Sequence, residues 1–152
     1  MKILLDTNVL IYAYDPADLV RQGQAVQIMG ELRLRGNGVL STQSLAEFLS
    51  AVMRPKRGDP PRLTPSEALD QAQLLSTAFE VYDLTRFTIL EAGRGVRDYQ
   101  LAYYDAQIWA TAHLNQIPIV FTEDFQHGQI LEGVQFINPF APDFELSTWL
   151  SE

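Results

Sequence analysis

The sequence predicts an α/β fold with a mostly parallel sheet and helices on both of its faces. Three observations lead there. Short apolar runs alternate with longer segments of helical spacing along the whole chain. Start and stop signals for helices fall between those runs. The 152 residues show no repeat, low-complexity run or linker, so one domain spanning 1–152 is expected.

Each element follows from its residues. Ile3-Leu4-Leu5 is an apolar run that reads as a buried strand ending at Asp6. Residues 8–14 read as a short helix, broken by Asp15-Pro16. Leu19, Val26, Ile28, Met29 and Leu32 recur at roughly helical spacing, and Gly36 and Gly38 close that helix. Val39-Leu40 is a brief second strand. Leu45, Phe48, Leu49 and Val52 mark one face of a helix over 42–53. Residues 54–62 hold three prolines and form a loop. Thr64-Pro65-Ser66-Glu67 opens the next helix with a capping box and a proline in the first turn. A strand is expected at 79–82, then a helix over 85–95 stopped by Gly93 or Gly95. A further helix is expected over 104–116, ending before Pro118, followed by strands at 119–122 and 134–137. Phe140, Phe144, Trp149 and Leu150 imply that the tail packs on the body or on a partner.

Composition narrows the chemistry. The chain has no cysteine, which excludes disulfides, thiolate metal sites and cysteine nucleophiles. Asp6 interrupts the first apolar run too early for a secretory signal. Residues 106–122 lack Asp, Glu, Lys and Arg but are too few and too polar to span a bilayer. A soluble, cytoplasmic protein with no membrane partner is expected. All 11 Lys and Arg lie within residues 1–97, where 11 acids balance them; residues 98–152 hold eight acids and no Lys or Arg, which is the whole net charge of -8. Such a chain repels a phosphate backbone on average, so a nucleic-acid substrate needs metal ions and a local cationic patch. A basic partner protein fits the same charge.

Four carboxylates stand out by position. In open α/β sheets ligands bind beyond the carboxyl ends of the strands. Asp6 and Asp124 follow apolar strands, and Glu47 and Asp105 lie near the starts of helices that follow strands, so all four can meet on one rim. Two carboxylates at 4 Å repel by about 4 kcal/mol at an effective dielectric near 20. A divalent cation reverses that repulsion, and hard magnesium or manganese prefers oxygen ligands. Each acid also has a plainer reading. Asp6 and Asp105 suit helix caps, Ser44 to Glu47 fits a capping box, and Asp124 suits a turn.

Four segments resemble, in order, the motifs of PIN domains. They are Leu4-Leu5-Asp6-Thr7-Asn8-Val9-Leu10, Ser44-Leu45-Ala46-Glu47-Phe48, Tyr104-Asp105-Ala106-Gln107-Ile108 and Phe121-Thr122-Glu123-Asp124-Phe125. The resemblance covers nearly the whole chain and is strongest to the VapC toxins of toxin–antitoxin modules. It implies a three-layer α/β/α sandwich and cleavage of RNA phosphodiesters that depends on Mg2+, with Mn2+ as a substitute. It also implies a homodimer and a cognate antitoxin as partners. By this resemblance Asp6, Glu47 and Asp105 are core metal ligands, Asp124 completes the site, and Thr7, Asn8 and Thr122 support it. The stretch 100–104 departs from the pattern, where many relatives carry a glycine and a small polar residue. Glu123 and His127 are further candidates beside Asp124.

The remaining features have weaker claims. Arg54, Lys56, Arg57 and Arg62 form the densest basic segment and are the candidate phosphate contacts. Tyr12, Tyr14, Tyr103 and Tyr104 suit base stacking or packing, and Trp109 and His113 suit structural roles. Rival functions fare less well. Aspartyl-phosphate phosphatases resemble a pattern with a second acid two residues after the first, where this chain has Asn8. A receiver-like domain needs a late lysine, and none follows Lys56. A phosphate-binding Gly-Lys-Ser/Thr loop is absent. A PIN-like module that only binds a partner remains the main alternative.

Overall fold

Six strands form one sheet in the order β3-β2-β1-β4-β6-β5. The computed structural model describes residues 1–150. The strands are β1 (Ile3–Leu5), β2 (Gly38–Ser41), β3 (Glu80–Tyr82), β4 (Ile119–Phe121), β5 (Ile130–Leu131) and β6 (Val134–Ile137). The helices are α1 (Thr7–Tyr12), α2 (Leu19–Arg35), α3 (Thr42–Met53), α4 (Pro65–Ala78), α5 (Arg86–Tyr99), α6 (Tyr103–Leu114) and α7 (Leu146–Leu150). All pairings are parallel except β5 with β6.

Strand alternation sorts the core into two layers, because successive side chains point to opposite faces. Ile3, Leu5, Leu40, Ile119, Phe121 and Ile137 face one side and pack with α1 to α4 and the tail. Leu4, Val39, Val120, Val134 and Phe136 face the other and pack with α5 and α6. The three-layer sandwich is therefore as the sequence implies. Each such side chain contributes about 1.5–3 kcal/mol when fully buried. The tail packs as expected: Phe144 and Trp149 set their rings edge-on to Phe121.

Several boundaries differ from the sequence reading for identifiable reasons. Helix α1 begins at Thr7, one residue early, because Asp6 caps it by accepting from the Thr7 N–H at 2.7 Å. Helix α2 closes at Gly36 in the left-handed conformation, as read. Its buried face is Ala25, Ile28 and Leu32, whereas Leu19 and Val26 are exposed. The capping box at Thr64 and Glu67 is present. Helix α5 runs through Gly93 and Gly95 to Tyr99, and Gln100 ends it with φ 56°. Helix α6 stops at Leu114. The short strand β5 and the helix α7 had no counterpart in the sequence reading. Glu132 and Gly133, both at positive φ, make the two-residue turn between β5 and β6.

Gly95 is a packing glycine rather than a helix stop. A Cβ there would lie 2.8 Å from Trp109 Cζ3, and Trp109 is fully buried. Its indole is pinned by an N–H bond to the Leu131 carbonyl at 3.2 Å. Gly95→Ala is therefore expected to destabilise the fold by about 1–3 kcal/mol despite the better helix propensity of alanine. Chemical denaturation of the purified variant checks this, and a variant as stable as wild type would contradict the close packing.

Candidate active site

The sheet order places a topological switch between β1 and β4. From β1 the chain crosses to β2 and β3 on one side, and the later strands lie on the other. Register then sets the chemistry. Leu5 pairs with Phe121, so Asp6 and Thr122 come next, side by side, at the carboxyl ends. The Asp6 N–H donates to the Phe121 carbonyl at 3.0 Å, and the Thr122 hydroxyl donates to the Asp6 carboxylate at 2.7 Å.

Helices α3 and α6 and the loop after β4 bring the other carboxylates to this rim. Thr7, at the start of α1, donates its hydroxyl to Glu47 of α3 at 2.8 Å. Gln43, one turn before Glu47, donates to Glu47 Oε1 at 2.8 Å and to the Tyr104 carbonyl at 3.0 Å. Tyr104 precedes Asp105 in the first turn of α6. Asn8 donates to Asp124 at 3.2 Å and to the Thr122 hydroxyl at 3.3 Å, and that hydroxyl also accepts the Asp124 N–H at 3.1 Å. Asp6, Glu47 and Asp124 thus share one hydrogen-bonded frame, and Gln43 extends it to the Tyr104 carbonyl beside Asp105.

Electrostatics treat them as a group. Burial pushes the Asp6 carboxyl up to about 7, against the bonds from Thr122 and Thr7, with Asp124 and Glu47 raising it further. Asp105 is also raised, first by burial and then by Asp124 and Glu47. The plainer readings hold only in part. Asp6 is a helix cap as well as a rim carboxylate. Glu47 is not in a capping box, because α3 is capped by Ser41, whose hydroxyl takes the Ser44 N–H. Helix α6 has no side-chain cap, so Asp105 is free of that task.

The donor set fits a hard cation. The rim offers carboxylate, hydroxyl and amide oxygens, and the buried Asn8 Oδ1 has no hydrogen-bond partner. The ring is wide: no three rim acids present oxygens all within 4.8 Å of one another. Magnesium, which keeps several waters, tolerates that spacing. Among the described residues a tighter trio occurs at Glu91, His113 and Glu132. It lies between α5, α6 and the β5–β6 turn, and the Arg94 guanidinium already bridges its two glutamates. Among the described residues no Lys or Arg pairs with a rim carboxylate, whereas Arg94 already occupies this trio.

The other candidates separate clearly. Glu123 accepts the Tyr12 hydroxyl at 2.8 Å. His127 Nδ1 accepts the Asn138 N–H at 3.0 Å, so its ring fastens the end of β6. His113 stacks on Trp109. Half of the basic segment is committed: Arg62 and Lys56 both pair with Asp15, at 2.8 and 3.5 Å. Helices α1 and α3 start at the carboxylates and run away from them, and this loop covers their far ends. Among the described residues Arg54 and Arg57 of this segment have no acidic partner. The sequence reading missed Gln43, because its partners lie on another helix. Tyr103 and Tyr104, in the departing stretch, are exposed beside Asp105.

A mostly parallel α/β sheet with carboxylates gathered at its switch point defines a class of open α/β domains with an acidic rim. Within that class the chain belongs to the PIN-domain family, whose profile matches residues 3–130. Solved structures share the fold. Mycobacterium tuberculosis VapC20, a Sarcin-Ricin loop cleaving toxin, is 19% identical with a TM-score of 0.63, over 81% of this chain and 90% of that one. A toxin–antitoxin complex from Klebsiella pneumoniae is 17% identical with a TM-score of 0.65, over 91% and 98%. DNA-bound VapBC from Salmonella typhimurium is 17% identical with a TM-score of 0.61, over 90% and 96%. No curated protein matches the chain significantly. Among the described residues no helix is long and apolar enough to cross a membrane.

Proposed function

We propose that this chain, acting as a single PIN domain over 1–152, is a cytoplasmic metal-dependent endoribonuclease and the toxin of a toxin–antitoxin pair. The observation that carries the reading is the hydrogen-bonded frame of Asp6, Glu47 and Asp124 at the β1–β4 switch, with Asp105 facing the charges of Glu47 and Asp124. Asp6 and Asp105 are held above their ordinary pKa first by burial and then by the charges of Asp124 and Glu47. Such a site is strained until a cation neutralises it.

The four carboxylates would hold Mg2+, or Mn2+ in its place. When bound, that ion activates water and offsets charge on the phosphoryl group. The chain's own residues do the rest. Thr122 and the Thr7 N–H fix both oxygens of Asp6, so its carboxylate cannot rotate away. Thr7 and Gln43 fix Glu47 in the same manner. Asn8 ties Asp124 to Thr122, which keeps the two strand ends in one constellation. Because the surface is acidic, the substrate backbone is attracted mainly by the metal, with Arg54 and Arg57 as distant cations. The exposed rings of Tyr103 and Tyr104 offer a charge-free contact for unpaired bases next to Asp105.

Two partners belong to this reading. An antitoxin is supported by solved neighbours that are toxin–antitoxin complexes and by an apolar groove of about 700 Å³ between α2 and α4. A homodimer is supported by exposed apolar residues on α5, among them Phe87 and Leu90.

The deciding experiment is induced expression in a bacterial host, wild type beside Asp105→Asn, with sequencing of RNA ends that carry a 5′-phosphate. New ends at discrete positions and growth arrest, both lost in the variant, are expected. Identical end profiles in the two strains would leave a binding module in place of a nuclease.

A further inference from the structure

We infer that Gln43 is a positioning residue for the metal centre: its side-chain amide clasps Glu47 to the helix that carries Asp105 and so sets the affinity of the site for its cation. The inference rests on the metal-dependent reading above and adds to it a residue that is not one of the four acids.

The geometry leaves little freedom. Gln43 is 7% exposed. Its amide nitrogen has two hydrogens and two acceptors, Glu47 Oε1 at 2.8 Å and the Tyr104 carbonyl at 3.0 Å. Both partners are oxygens without a proton to give, so a flipped amide would set oxygen against oxygen at both contacts. The orientation is therefore fixed by its partners. The cost falls on the other end of the amide, because Gln43 Oε1 is buried with no partner. A residue chosen for stability alone would be apolar at this position. The Tyr104 carbonyl already belongs to the α6 ladder as the helix's second residue, so it does not need Gln43 to be satisfied. What the clasp adds is a fixed spacing across two helices from different parts of the chain. Glu47 sits on α3 and Asp105 on α6, and among the described residues no other side-chain hydrogen bond joins these two helices. Without it, Glu47 keeps only the Thr7 bond and can swing about that oxygen.

Residues that orient a metal ligand in this way typically cost 10–100-fold in metal affinity when removed. Two variants of the purified full chain test the clasp by calorimetric titration with manganese. Gln43→Met keeps the length of the side chain and removes both donors. Gln43→Asn keeps the amide but is one methylene too short to reach both acceptors. The expected result is a manganese Kd weakened about 10–100-fold in the first and by a smaller factor in the second. Melting temperatures in EDTA should be unchanged or raised, and RNA cleavage should recover to near wild type at saturating manganese. Variants that bind manganese as wild type does would overturn the inference. So would an affinity loss matched by a lower melting temperature in EDTA, since that marks a merely structural residue. Wild-type protein that binds no manganese would instead remove the metal-dependent reading itself, and the clasp with it.

Discussion

Without divalent metal, the Asp6→Asn protein melts about 3–8 °C above wild type near pH 8, and the two converge near pH 4. The sign follows from the direction of the Asp6 shift. Its carboxyl is raised in the folded state to about 7, from an ordinary value of 3.8. A raised carboxyl favours the folded protein while it stays protonated. That contribution is fully present below the unfolded value and is lost as pH rises through about 7. Above that, the folded chain must carry a buried anion facing Asp124 and Glu47. A shift of this size corresponds to a few kcal/mol. Asparagine does not titrate, so its curve should be flat over the same window. Part of the gain is returned locally. The asparagine N–H must meet the Thr122 hydroxyl, which already accepts from Asp124 N and Asn8 Nδ2, and such a mismatch costs about 1 kcal/mol. A net gain of about 1–3 kcal/mol, at about 2–4 °C per kcal/mol for a chain of this size, gives the expected shift. Magnesium should reverse the order, because binding at 100 times Kd stabilises wild type by about 2.7 kcal/mol. Differential scanning fluorimetry across pH, with and without magnesium, reads all of this. Wild-type stability that rises between pH 4 and 8 in EDTA would refute the buried-anion account.

How much of this was legible in the sequence depends on the range of the interaction. Asp6 and Asp124 are visible because each ends an apolar run, and parallel pairing then forces them to one edge. Glu47 and Asp105 are visible because helices that follow strands start at that same edge. The fold class follows from the same alternation. What the sequence hides is contact between distant elements. Gly95 has the composition of a helix stop, and only the Trp109 ring against it shows why glycine is required in mid-helix. Gln43 reads as an ordinary polar helix residue until the Tyr104 carbonyl, 61 positions later, is placed beside it. Arg62 looks like a free cation in a basic loop, yet Asp15, 47 positions earlier, neutralises it. The strand β5 is two residues long, too short for any periodicity to register.

The largest effect on activity belongs to Asp105. In purified protein at saturating magnesium, Asp105→Asn should cost more than about 10³-fold in RNA cleavage, because metal-held chemistry supplies several kcal/mol and each 1.36 kcal/mol is tenfold. Among the rim acids it alone accepts no side-chain hydrogen bond, and it has no capping duty, so its charge is uncommitted except toward a cation. Asparagine keeps its size and helix position, and folding is not at risk, since the substitution relieves repulsion from Asp124 and Glu47. Glu123→Gln is the matched control. Glu123 lies one residue from Asp124 and is also a carboxylic side chain, so a site that merely needed acidic residues would feel its loss. Its oxygen is instead spent on the Tyr12 hydroxyl, which a glutamine oxygen can also accept. Its rate should change by less than about threefold, the range of a surface substitution worth about 0.5 kcal/mol. Equal losses in the two variants would mean that charge density, and not the Asp6–Glu47–Asp105–Asp124 arrangement, drives cleavage. A severe loss at Glu123 with Asp105 spared would move the metal toward Tyr12 and the start of α2.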